Sequence, residues 1–270
     1  MEIPKFGFST NPVVDVVKGI NKLGKYGFDF VEISFQEPLA LPNIMKKRKL
    51  EIKKTLKNHN LELLAHSPWW NDFGSLHEHV RKGWITETKE LLDVGNELGM
   101  VKMNIHPNFF SHNSKDEKSK QTSIDNNSRS LQEIVDYASS YDITIVVENN
   151  VTTWSPVKFN ELKEIINGIE KIKVTVDIGH AFIEGGMELI LKYIQTFKNK
   201  LGHMHFHDNH GNNDEHLPLG VALIDYNKVV QELKKLGYKE TITLEVFEPD
   251  IIFSKDSMER LRRLWGSEKR

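Results

Sequence analysis

The sequence contains no cysteine. Disulfides, thiolate metal sites and cysteine nucleophiles are therefore excluded, and any metal must be held by nitrogen and oxygen donors. Long apolar runs are also missing: stretches such as 143–147 and 241–247 fall far short of the roughly 20 residues a membrane helix needs. Residues 1–11 lack a basic segment leading into an apolar one, so no secretory leader is expected, and a cytoplasmic location is. Charge of one sign is lacking too: 36 Lys and Arg against 38 Asp and Glu leave a net −2, which by itself makes no case for nucleic acid or a membrane surface as partner. No glycine-rich dinucleotide fingerprint follows the first strand-like run. What is present is 39% hydrophobic residues in a chain of 270, enough for a large core, and twelve histidines, several placed at the ends of apolar runs.

One pattern repeats along the chain: a short β-rich run, a polar turn, then a longer amphipathic stretch. The strand-like runs fall at 5–9, 30–34, 61–66, 101–106, 143–148, 173–177, 201–207 and 241–246. Helix-like stretches follow at 13–25, 46–58, 78–98, 128–141, 158–169, 187–198, 226–236 and 257–264. Gly27, Gly99 and Gly237 stand where helices need a left-handed cap before the chain re-enters a sheet. Strict alternation implies parallel strands with helical crossovers. Eight units at a length near the ~250 residues typical of the fold predict an α/β protein, a single (β/α)8 TIM barrel spanning 1–270 as one domain, with an open doubly wound sheet as the competitor. Residues 108–127, rich in Ser, Asn and Lys, read as a long irregular loop after a strand end, either a lid over the site or a surface insertion.

On a barrel, side chains that do chemistry point inward from the C-terminal rim, so the strand ends can be inspected in turn. The third to sixth runs end at His66, His106, Glu148 and Asp177, with His180 three residues further on. The seventh carries His203, His205 and His207, which share one face, and the eighth carries Glu245. Each alone has a structural explanation. Six consecutive strands ending in histidine or carboxylate do not, because converging carboxylates repel unless a cation or protons offset them. Mixed imidazole and carboxylate donors suit zinc, manganese or a similar divalent metal. Asp214 and His216, in the loop after the seventh run, have chelate-like spacing.

These residues resemble the xylose-isomerase-like barrel superfamily, which also contains endonuclease IV (AP endonuclease family 2). His-Ser-Pro-Trp at 66–69 and Asp-Ile-Gly-His at 177–180 are similar to endonuclease IV's His-Ala-Pro-Tyr and Asp-Thr-Cys-His. The resemblance carries that family's nine zinc ligands onto His66, His106, Glu148, Asp177, His180, His205, Asp214, His216 and Glu245, and it favours His205 over His207. Sugar and sugar-phosphate isomerases and epimerases of the same superfamily hold a single ion with the counterparts of Glu148, Asp177, His205 and Glu245. The wording here is closer to that branch: Val-Glu-Ile at 31–33, and Asp-Glu-His-Leu-Pro-Leu-Gly at 214–220 followed by Ile224-Asp225-Tyr226. The usual Gly-x-Gly after the histidine loop is replaced by Gly220-Val221-Ala222.

The resemblance thus implies a metal-dependent isomerase or epimerase of a sugar or sugar phosphate, with a stabilised enediolate. Glu148 and Glu245 would be its acid/base pair and His180 a hydroxyl-binding catalytic group, with Glu32, Trp69, Trp70 and His207 contacting substrate. The alternative is a three-zinc phosphodiesterase acting on abasic DNA, with Trp69 and Trp70 as wedges and Lys115, Lys118 and Lys120 on phosphates. A third class is a metal-binding barrel without catalysis. A homo-oligomer is compatible with all three.

Overall fold

The computed structural model describes residues 3–108, 116–151, 157–247 and 250–266. Its strands are β1 (Lys5–Ser9), β2 (Phe30–Ser34), β3 (Glu62–His66), β4 (Met100–Ile105), β5 (Thr144–Glu148), β6 (Lys173–Asp177), β7 (Leu201–Phe206) and β8 (Thr241–Leu244). They run parallel and close on themselves in chain order. Closure rests on β1 pairing with β8, from Lys5 opposite Thr241 to Phe8 opposite Leu244, which rules out the open sheet.

The pleat sorts each strand into two faces. In β2, Val31 and Ile33 turn outward into the apolar layer beneath the helices, while the intervening Glu32 turns to the axis. The outward layer is continuous round the barrel and supplies most of the hydrophobic stabilisation, at about 1.5–3 kcal/mol for each fully buried Val, Leu, Ile or Phe. The axis itself is unusually polar, holding Glu32, Lys102, Thr175, His203, Thr241 and Thr243, all buried. Near its base Phe30 packs against the His203 ring. A Cβ at Gly7 would lie 2.2 Å from the Phe30 ring, so glycine is what admits Phe30 to the axis.

The helices are α1 (Val16–Leu23), α2 (Pro42–Lys47), α3 (Lys49–His59), α4 (Glu78–Leu98), α5 (Glu117–Ala138), α6 (Phe159–Ile165), α7 (Ile178–Phe197), α8 (Tyr226–Lys235) and α9 (Ile252–Trp265). Gly99 and Gly237 adopt left-handed φ values of +88° and +67°, as their positions imply. Among the described residues no helix is long and apolar enough to cross a membrane.

Two expectations need correction. The loop expected over 108–127 is helical from Glu117, because Asp116 caps the first turn by accepting from the amides of Lys118 and Ser119. Its inward face carries Ser123, Asn126 and Asn127, which hid the helical period; Asn126 and Asn127 bond the carbonyls of Ser75 and Asn108. Likewise α7 begins at Ile178 rather than 187, since Asp177 caps it through the His180 amide; Gly185 and Gly186 then interrupt it with non-helical backbone.

Candidate metal centre

Strand pairing ends at Ile105, Phe206 and Leu244, so His106, His207 and Glu245 lie just past the ladder, where the chain turns over the barrel mouth. His66, Glu148 and Asp177 are the last strand residues, and His180 sits in the first turn of α7. Asp214 and His216 arrive on the loop after β7. That loop is clamped by Asp208, whose carboxylate accepts from the amides of Gly220, Ala222 and Ile224 at 3.0, 2.9 and 3.0 Å. The same clamp explains the altered turn: Gly220 has φ +86°, whereas Ala222 has no positive φ and needs only its amide. Cavity walls formed by His66, Trp69, Glu148, His180, Asp214 and Glu245 enclose about 450 Å³.

The expected ligands meet in three groups. At the centre, His205 Nδ1 lies 3.3 Å from Glu148 Oε1, 3.5 Å from Glu245 Oε1 and 3.8 Å from Asp177 Oδ2. To one side, His66 Nε2 and His106 Nε2 approach Glu148 Oε2 at 3.4 and 2.9 Å. To the other, His180 Nε2 and His216 Nε2 approach Asp214 Oδ2 at 3.2 and 3.0 Å. Donors in a tetrahedral shell with bonds of about 2.1 Å stand about 3.4 Å apart, which matches the central spacing. Asp177 Oδ2 and His205 Nδ1 are buried there without a hydrogen-bond partner, as atoms reserved for a cation would be. The residues therefore fit a divalent metal held by Glu148, Asp177, His205 and Glu245.

Without such an ion the cluster is held together by protons. Burial raises the Glu148 carboxyl, but the imidazoles of His205 and His106 outweigh burial and hold it well below the usual range. Asp177 is lowered in the same way, against its burial, by His180 and His207. Burial pushes His205 and His180 down, yet Glu148 and Glu245 around the first, and Asp177 and Asp214 around the second, raise both well above an ordinary imidazole. His106 is the reverse: burial prevails over Glu148 and lowers it. A cation entering the centre must displace protons.

Not every expected contact reaches the cavity. Trp69 lines it, but Trp70 faces a separate depression beside Phe35 and Trp84. His207 is wholly buried behind the ligands, 3.2 Å from Asp177 Oδ1 and 3.5 Å from Asp214 Oδ1. Glu32 lies a layer below, fully buried, and touches the site through His205. All three, expected as substrate contacts, stand off the cavity lining: Trp70 in the neighbouring depression, His207 and Glu32 behind the candidate ligands. Lys115 lies outside the described residues; Lys118 is exposed and Lys120 pairs with Glu161 at 2.5 Å. Sequence reasoning missed Asp208, whose only signal is an aspartate directly after a strand. It also missed Asn104, which donates to Glu148 Oε2 and accepts from Thr175 at 2.7 Å.

His207 and Gly179 are complementary in shape. A Cβ at 179 would stand 1.9 Å from His207 Cε1, so Gly179→Ala forces the imidazole off Asp177. Overpacking of this kind costs about 1–3 kcal/mol. We expect a fall in Tm of several degrees, by thermal denaturation, that is largely recovered in the G179A/H207A double variant. An unchanged Tm in the single variant would contradict the contact.

The model of the xylose isomerase-like TIM barrel family matches residues 20–264. The chain belongs to that family. A relative, an uncharacterized protein of Methanocaldococcus jannaschii, is 28% identical over 248 residues, covering 89% of this chain and 83% of its own. The protein called Probable endonuclease 4 of Aquifex aeolicus is 24% identical over 205 residues, 74% of this chain and 71% of that protein. Among solved structures, a D-tagatose 3-epimerase-like protein superposes with a TM-score of 0.85 at 26% identity, covering 97% of both chains.

Proposed function

We propose that this chain is a divalent-metal-dependent epimerase or isomerase of a small sugar, and that its reaction moves a proton next to a carbonyl. The observation that carries this reading is the convergence of Glu148 and Glu245, from strands three apart round the barrel, on the same His205 nitrogen at 3.3 and 3.5 Å within a small cavity. About 450 Å³ falls within the usual range for a small-molecule site, about 300–1,000 Å³. Among the described residues no Lys or Arg lines it, which favours a neutral sugar over a sugar phosphate and over a DNA backbone. Likeness to the D-tagatose 3-epimerase-like structure supports the same choice.

When bound, the ion supplies Lewis-acid stabilisation of negative charge on the substrate oxygens. The chain does the rest. One of the two glutamates takes the proton from the carbon beside the carbonyl, and the other returns a proton to the opposite face, inverting that centre. Asn104 fixes the Glu148 carboxylate from below. The His180 ring is held from the Asn149 carbonyl at 2.8 Å and presents Nε2 to the cavity side, beside Asp214. Trp69 shields the mouth from water.

A second reading rests on one specific observation: donors gather in three groups, as a three-zinc phosphodiesterase acting on abasic DNA requires. The two are separated by one pair of assays on the metal-loaded chain. Free ketoses in deuterated water should gain deuterium beside the carbonyl, while a duplex with one abasic site stays intact. Metal-dependent incision without exchange would reverse the assignment.

A further inference from the structure

Below the cavity, the axis holds a hydrogen-bond chain that the proposed chemistry does not use. Lys102 Nζ donates to Thr241 Oγ1 at 2.9 Å. The Thr241 hydroxyl, its oxygen so engaged, lies 2.6 Å from His203 Nδ1. On the far side of that ring, His203 Nε2 lies 3.1 Å from Glu32 Oε2, which also accepts from the Thr243 hydroxyl at 2.5 Å. His205 Nε2 meets the same oxygen at 3.3 Å. All of these groups except Lys102, which is largely buried, and Thr241 have no exposed surface.

Donor counting gives the chain one direction. Glu32 as a carboxylate can only accept, so His203 presents Nε2–H to it, and its Nδ1 is left to accept the Thr241 hydroxyl proton. For the same reason His205 presents Nε2–H to Glu32. That leaves Nδ1, facing Glu148, Asp177 and Glu245, as the nitrogen whose proton a metal displaces. We infer that Glu32 is a positioning residue for the metal centre: it sets the tautomer and ring angle of His205, and the Lys102–Thr241–His203 chain keeps Glu32 in place. A carboxylate behind a ligating imidazole raises its basicity and fixes its orientation. This inference rests on the proposed metal centre and makes no use of the substrate.

The test is calorimetric titration of Zn²⁺ alone into the metal-free wild type and into Glu32→Gln, with metal-free thermal denaturation alongside. Loss of such a partner typically weakens binding by about 10–100-fold, and that is the expected change for E32Q. Wild type and variant agreeing within about threefold would overturn the inference, whereas a wild type that binds no zinc would overturn the metal centre itself. If E32Q does not fold, the wild type decides. In the zinc-loaded protein, nitrogen-detected imidazole spectra should show His205 protonated at Nε2 and metal-bound at Nδ1. A His205 without a proton on Nε2 would put a cation among Glu32, His203 and His205 instead, and the positioning role would fall.

Discussion

Glu148→Gln is expected to remove turnover while leaving the barrel folded. The side chain has three tasks at once. Its Oε1 faces the central His205 nitrogen at 3.3 Å, its Oε2 receives His106 at 2.9 Å and His66 at 3.4 Å, and in the proposed reaction the whole carboxylate is one arm of the proton-transfer pair. An amide of nearly the same shape keeps the packing but cannot accept a substrate proton and is a poor metal donor. Loss of a general acid or base alone lowers the rate by about 10²–10⁴-fold, and kcat should fall by at least that much with metal at saturation. The fold should survive because the strand is held by the apolar Val146 and Val147 and by ladders to β4 and β6. The measurement is kcat beside far-ultraviolet circular dichroism. Turnover within a few-fold of wild type would remove Glu148 from the chemistry.

Stripping the metal is expected to abolish activity and lower Tm. An ion present at a thousand times its dissociation constant stabilises the folded state by about 4 kcal/mol. At about 2–4 °C per kcal/mol for a chain near this size, chelation should cost about 8–16 °C. The sign of the pH dependence follows from the imidazoles. His205 and His180 hold protons well above the ordinary range in the metal-free site, because the surrounding carboxylates outweigh burial. Metal must expel those protons, so affinity rises with pH through their raised pKa values and falls as pH drops. Zinc titrations in two buffers of different ionisation enthalpy should reveal proton release at neutral pH. A fully loaded protein whose Tm ignores chelator would rule out this site as the place the metal binds.

Much of the fold was legible because barrels write themselves into sequence with two periods. Strand runs alternate, helices recur after each, and glycines such as Gly99 and Gly237 stop them. The site was legible for a related reason: a strand end is a position that can be found by counting, and His66, Glu148 and Asp177 stand there as the last residues of their strands. Helix α5 was not legible at its start, because residues that bury amides rather than methyl groups carry no hydrophobic period; Asn126 and Asn127 face inward to bond carbonyls.

What the sequence determined by itself is the eight-unit alternation, the nitrogen-and-oxygen donor set that follows from having no cysteine, and the candidate ligands at the mouth. Only the tertiary structure decided how those ligands group and what stands behind them. His203, His205 and His207 are equivalent by strand periodicity, yet each has a different role: His203 ends in the axial chain, His205 turns Nδ1 to the centre, and His207 packs over Gly179 beside Asp177. Glu32, expected as a substrate contact, lies buried beneath the candidate ligands for the same reason. Which atoms meet across the barrel depends on the stagger between strands that are distant in the chain, as when Glu32 meets Thr243. Alternation along one strand gives the face of a residue but not its depth, and depth separates a ligand from its support.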